Sequence, residues 1–171
     1  VAELLKHKVI DKSGNFVVGS SERLIKTEEE EVEFFIADSS SRDARQISIT
    51  QSDIKNLIHS KGAIFTGCEV LLKKMGFGFS DLSRIIIAGG LGNALDIEKS
   101  IAIGLLPNLP KEKFLFIGNG SISGCTMCLL SQAAMKKAEE IAQKMTYIDL
   151  SCDSEFMNNY TASLFLPHTN T

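Results

Sequence analysis

Residues 84–96 read RIIIAGGLGNALD, a β-branched run followed by a glycine-rich turn and the opening of a helix. Ile85, Ile86 and Ile87 carry no polar interruption, the pattern of a strand covered on both faces, as in the parallel sheets of α/β proteins. Gly89, Gly90 and Gly92 then remove every Cβ where the chain must turn, so that another molecule can approach the bare backbone. Asn93 is placed to cap the helix that follows. Two readings of this turn stand side by side: a loop that contacts a nucleoside, or a tight βα connection that needs glycine for its geometry alone. The spacing is not G-x-G-x-x-G, and no acidic residue ends a second strand about twenty positions on, which argues against a Rossmann fingerprint. No Gly-Lys-Ser/Thr follows, so it is not a P-loop.

Outward from that stretch, the chain has the make-up of an ordinary globular domain. Of its 171 residues, 44% are hydrophobic and 23% charged, and the net charge is −3. A chain of this length buries roughly 70% of its unfolded surface on folding, so one domain spanning 1–171 is expected. A mildly acidic chain without an arginine-rich face predicts no nucleic-acid partner. No apolar run approaches the roughly 20 residues that span a bilayer, and no signal-peptide pattern opens the chain, so a soluble cytoplasmic protein is expected. Four cysteines are too few for a disulfide scaffold at this size, which fits a reducing compartment. The chain opens on Val1-Ala2-Glu3-Leu4-Leu5 without a methionine, and we expect it to be part of something longer.

Turn chemistry and periodicity mark the other elements. Asp11-Lys12-Ser13-Gly14-Asn15 is a turn leading to a strand over 16–18. An acidic run, 28–31, is expected as a solvated loop before a strand over 32–36; Ser39-Ser40-Ser41 is another loop, before a strand over 46–49. Thr50 precedes Asp53 by three, a variant of the capping box, and opens a long helix to about Lys74. Along it Ile54, Leu57, Ile58, Lys61, Ile64, Phe65, Cys68, Leu71 and Leu72 recur at helical spacing and predict one core-facing side. Gly76 and Gly78 lie just past its end. After the first glycine turn, a short helix over 97–106 should stop at Pro107. A second buried strand, 114–117, leads into a second small-residue turn, Gly118-Asn119-Gly120-Ser121, then a helix over about 122–145. A strand over 147–150 and a last helix opening at Asp153-Ser154-Glu155 complete the pattern. Strands alternating with helices predict right-handed crossovers and a parallel sheet from Ile85 onward, with the earlier strands antiparallel. Both glycine turns fall at the carboxyl ends of strands, where open α/β sheets place ligands.

Among side chains with chemistry, Cys125 and Cys128 form a C-x-x-C early in the helix after Gly120, where a helix N-terminus lowers a thiol pKa. Redox or metal roles are set against structural packing; packing is favoured because no second Cys or His pair stands at zinc-ligand spacing. His7, His59 and His168 neighbour no nucleophile and read as surface residues. Lys61 lies on the apolar-spaced side of the long helix, either snorkelling to solvent or reaching a ribose or base from a neighbouring helix. No residue is assigned as catalytic or as a metal ligand.

The order of these motifs resembles the C-terminal part of the actin-like ATPases, which include sugar kinases and Hsp70 chaperones. More closely, TQSDIKNL and SKGAI within 50–67, IIIAGGLGN at 85–93, IGLLP at 103–107, FIGNGSISG at 116–124 and YIDLS at 147–151 resemble the ATP-dependent reductive activators of corrinoid proteins over nearly the full chain. The resemblance implies an α/β, ribonuclease H-like (actin-like ATPase) subdomain, with a mixed sheet of antiparallel early strands and parallel later strands flanked by helices. It implies that Gly89, Gly90, Gly92 and Asn93 contact the adenosine, with Lys61 carried over from the matching helix. It implies ATP with Mg²⁺ in the parent protein, a [2Fe–2S] cluster in a ferredoxin-like domain outside this chain, and a corrinoid protein as partner whose cobalt returns to Co(I). The remainder of the ATPase and ferredoxin-like domains would be partners in the same polypeptide, and a truncated sheet edge could pair with another copy as a homodimer. The chain departs from the superfamily in having no Asp-x-Gly-Thr phosphate loop, and Leu91 stands where phenylalanine is usual. Phosphoryl transfer rests on positioning and charge, so this chain alone is not expected to hydrolyse ATP. Two rivals remain: a related ATPase or kinase-like protein serving another low-potential electron transfer, and a noncatalytic partner-docking module.

Overall fold

The computed structural model describes residues 1–27, 31–38, 46–90 and 92–168, with the backbone alone at Asn93 and Ser151. Most of the acidic run, 28–30, the serine loop 39–41 and Leu91 lie outside these.

A five-residue helix, α1 (Ala2–Lys6), leads into a hairpin-like turn where Ile10 bridges Phe16. Asp11 organises that turn by accepting from the amides of Ser13 and Asn15, both at 2.8 Å. No strand forms over 16–18; only that single bridge is made, because Val17 and Val18 are exposed and have no core to face. Next come β1 (Leu24–Lys26), β2 (Val32–Asp38) and β3 (Gln46–Thr50), an antiparallel sheet in the order β1-β2-β3. Its β2–β3 register shifts between Phe35 and Ala37, a bulge.

The expected capping box forms at the head of α2 (Gln51–Lys74): Asp53 N–H donates to Thr50 Oγ1 at 3.0 Å and Thr50 N–H to Asp53 Oδ2 at 2.9 Å. At its tail Gly76, at φ +76°, ends the helix in a Schellman motif. Phe77 N–H reaches Leu72 O and Gly76 N–H reaches Lys73 O. The predicted apolar side divides along its length. Ile54 and Ile58 join Leu4, Val9, Ile10, Ile103 and Leu166 in the main core. Ile64, Cys68 and Leu71 instead line an open apolar groove of about 280 Å³, facing Phe79, Leu82, Ile85 and Pro107.

The isoleucine run forms β4 (Ile85–Ile87), which pairs in parallel with β5 (Phe114–Phe116). The expectation of cover on both faces is corrected: Ile86 is 59% exposed and its register partner Leu115 43%. Between the strands, α3 (Ile97–Ala102) is capped by Asp96, whose carboxylate accepts from Lys99 N–H. This helix stops well before Pro107, because Gly104 at φ +74° closes a second Schellman motif, with Leu105 N–H on Ser100 O and Gly104 N–H on Ile101 O.

The single helix expected over 122–145 is two helices, α4 (Gly120–Leu130) and α5 (Gln132–Lys144). Ser131 is extended, at φ −144° and ψ 115°, and its hydroxyl caps α5 by accepting from Ala134 N–H. No strand forms over 147–150; Leu150–Cys152 is a 3-10 turn and Tyr147 is almost wholly exposed. Finally α6 (Phe156–Ala162) packs on α2. Asp153 opens it by accepting from the amides of Glu155 and Phe156, and binds Lys74 of α2 at 2.7 Å.

Candidate functional site

The two glycine turns meet. Leaving β4, Gly89 at φ +103° donates its N–H to the Gly118 carbonyl, 2.6 Å away, and Gly118 itself turns at φ +64° beyond β5. Parallel pairing brings both carboxyl ends to one rim, and the turn bond locks the loops side by side. Asn119 then caps α4 through a 3.0 Å bond from Ile122 N–H to its side chain.

The glycines are not equivalent. A Cβ on Gly89, Gly90 or Gly118 would meet nothing within 4 Å, so backbone is presented to open space at all three. A Cβ on Gly92 would lie 2.8 Å from Ile87 Cγ2, so this glycine lets the 3-10 turn Gly92–Ala94 fold back on the strand. It is buried. The two readings of the loop therefore divide by residue: Gly92 answers to packing, while Gly90 has no internal reason to lack a side chain. Asn93 lies in that turn.

Lys61 is placed elsewhere. Its side chain is fully buried and Nζ donates to the carbonyl of Phe165. Snorkelling is thereby corrected: the ammonium points inward, toward the segment after α6. Burial pushes its pKa down from 10.5 to about 8. A Cβ on Gly104 would come within 3.3 Å of Nζ, so the tight turn after α3 closes over the lysine. No hydrogen bond joins Lys61 to the glycine rim among the described residues.

The cysteine and histidine expectations need revision as well. Cys125 is exposed and Cys128 half-buried, so α4 does not pack them as core residues in this structure. His168 is no plain surface residue: its ring lies 4.2 Å from that of Phe65, and burial, with Lys61 adding repulsion, holds its pKa below the usual value. His59 is exposed and shares a 2.8 Å hydrogen bond with the Tyr160 hydroxyl. Sequence reasoning missed the Phe165 carbonyl as the partner of Lys61, because a backbone acceptor 104 positions away leaves no trace in residue type. Among the described residues, no group of three or more His, Cys, Asp or Glu side chains could hold a metal ion, and no helix is long and apolar enough to cross a membrane.

An antiparallel sheet, a parallel strand pair with a glycine rim and flanking helices define an actin-like α/β unit of the ASKHA class. Over residues 1–171 the chain matches the family described as the C-terminal domain of RACo, the ASKHA domain, and it belongs to that family. It is 32% identical over 168 residues to the corrinoid activation enzyme RamQ of Eubacterium limosum, the match covering 94% of this chain and 28% of that protein. Among solved structures it is similar to a reductive activator for corrinoid, iron-sulfur protein, with a TM-score of 0.90 and 39% identity over 99% of this chain and 27% of that one. The chain thus spans about a quarter of the length of these relatives.

Proposed function

We propose that this chain is the C-terminal subdomain of a longer ATP-dependent reductive activator, and that its glycine rim forms one wall of an adenosine cleft. The observation that carries this reading is the hydrogen-bonded pair of turns at Gly89 and Gly118, which presents open backbone where α/β sheets bind ligands. The names of its relatives, a corrinoid activation enzyme and a reductive activator for a corrinoid, iron-sulfur protein, supply the reaction class.

On this reading Gly89, Gly90 and Asn93 contact the adenosine. Gly92 holds the turn that presents them. Lys61 reaches the ribose only by exchanging the Phe165 carbonyl for a ligand oxygen. Phosphate and Mg²⁺ contacts come from the remainder of the ATPase domain. An iron-sulfur cluster outside this chain would supply the electron, and the cobalt of a corrinoid protein would be its acceptor, brought to Co(I). The role of this subdomain is to bind and orient the nucleoside, so that closure of the ATPase domain is coupled to that transfer. The protein works in the cytoplasm.

The test follows Co(I) formation by absorbance, using the full-length protein, its corrinoid protein and a low-potential donor. Reduction should depend on ATP and fall when Gly90 is replaced by Asp. Reduction at an unchanged rate without ATP would contradict the proposal.

A further inference from the structure

Gly118 has no packing reason to be glycine. A Cβ there would meet nothing within 4 Å, and the residue follows a strand, whereas Gly76 and Gly104 end helices. What the position requires is conformation: it lies at φ +64°, in the left-handed region that β-branched residues avoid.

The use of that conformation shows in the hydrogen bonds just beyond the strand pair. β4 and β5 pair Ile87 with Phe116, so the next pair in register is Ala88 with Ile117. Ile117 N–H keeps the ladder by donating to the Ile87 carbonyl at 3.1 Å. In a regular parallel ladder the following bond would run from Gly89 N–H to the Ile117 carbonyl. It runs instead to the carbonyl of Gly118, one residue further on. The same carbonyl accepts from Gly120 N–H, at the first residue of α4, at 3.0 Å. One oxygen thus ties the first glycine turn to the second and draws Gly89 one residue out of register.

That slip decides which groups of the turn are left for a ligand. Gly89 has its N–H on Gly118 and its carbonyl on Gly92 N–H, at 3.2 Å. Gly90 is exposed, and its N–H has no acceptor among the described residues. We propose that Gly118 is a positioning residue for nucleotide binding: its carbonyl fixes Gly89 so that the Gly90 N–H faces an acceptor atom of the nucleoside. Gly118 acts through Gly89 and does not itself touch the ligand. The inference rests on the reading that the rim binds adenosine.

The test uses the full-length protein, with Co(I) formation followed by absorbance at varied ATP. Valine and asparagine are close in size, but only asparagine tolerates the left-handed region. Gly118→Val should raise KM for ATP at least tenfold while kcat, read at saturating ATP, falls less than twofold. Gly118→Asn should keep KM within threefold of wild type. Gly19, at φ +82° with nothing within 4 Å of its Cβ, is the control for backbone strain alone, and Gly19→Val should leave KM unchanged. If Gly118→Val does not fold, Gly118→Ala takes its place, with at least a threefold rise in KM expected. Equal KM in wild type and the folded variant would overturn the inference, as would a fall in kcat alone. A rise in Gly118→Asn as large as in Gly118→Val would also overturn it, because bulk at a ligand contact, not backbone conformation, would then be at work. Each of these results leaves ATP binding by the wild type intact; a wild type that binds no ATP would overturn the functional reading together with this one.

Discussion

Gly90 and Gly92 stand two positions apart in one loop and answer to different constraints. A methyl group at Gly90 meets nothing, whereas at Gly92 it meets Ile87 Cγ2 at 2.8 Å. Gly90→Ala should therefore change stability by no more than about 0.5 kcal/mol, the usual range for unconstrained surface positions. Gly92→Ala should cost about 1–3 kcal/mol through overpacking. Urea denaturation of both variants checks the difference. Lys61 offers a pH signature with a defined sign. Below about pH 8 it is charged in both the folded and unfolded states, and the burial penalty is fully present. As pH rises from about 8 toward 10.5, the folded protein releases the proton while the unfolded chain still holds it, so stability rises. Urea midpoints of wild type relative to Lys61→Met should increase between pH 7 and pH 10; an unchanged difference would mean that the ammonium is not buried as described.

Helices with both ends written in the sequence were legible, and those governed by tertiary context were not. Both ends of α2 could be read from Thr50, Asp53 and Gly76, because capping and left-handed termination are local chemistry. Thr50→Ala should cost about 1 kcal/mol by leaving a helix N–H without its acceptor, again measured by urea denaturation. The break at Ser131 leaves little trace in the sequence because LLSQAA continues a good helical pattern; a lone serine followed by neither Glu nor Gln at the third position is a weak signal. Pro107 predicts where α3 must end, but Gly104 ends it first. Tyr147-Ile148-Asp149-Leu150 has the composition of a strand, but strand formation needs a pairing edge and composition cannot say whether one is within reach. The isoleucine strand lies where its pattern predicts, and its pairing with Phe114–Phe116 is parallel, as expected for the sheet from Ile85 onward. Its two-sided cover was wrong for this chain, since Ile86 faces outward.

At the scale of the molecule, the core lies where the chain's two ends meet α2. Leu166 is fully buried and donates its N–H to the Lys12 carbonyl at 2.8 Å, while Phe165 accepts from Lys61. Lys99 of α3 pairs with Glu3 of α1 at 3.1 Å on the surface of the same assembly. The glycine rim sits apart from this core, on a strand pair whose outer face is open. That separation explains how much of the candidate site could be read in advance. Glycine spacing at strand ends is a local signal and marked the rim; the fate of Lys61 depends on Phe165, which only the folded chain brings near. Because the rim is not part of the main core, a charge at Gly90 should perturb binding without unfolding the protein.

Isothermal titration of ATP and ADP, with Mg²⁺, into the full-length protein tests the central claim most directly when wild type is compared with Gly90→Asp. The aspartate side chain has space, so the fold should survive, while its carboxylate occupies the open face of the loop and opposes an anionic ligand. The account predicts that wild type binds nucleotide and that the substitution weakens binding at least tenfold, about 1.4 kcal/mol. Equal affinity in a folded variant, or no binding by the wild type, would contradict it.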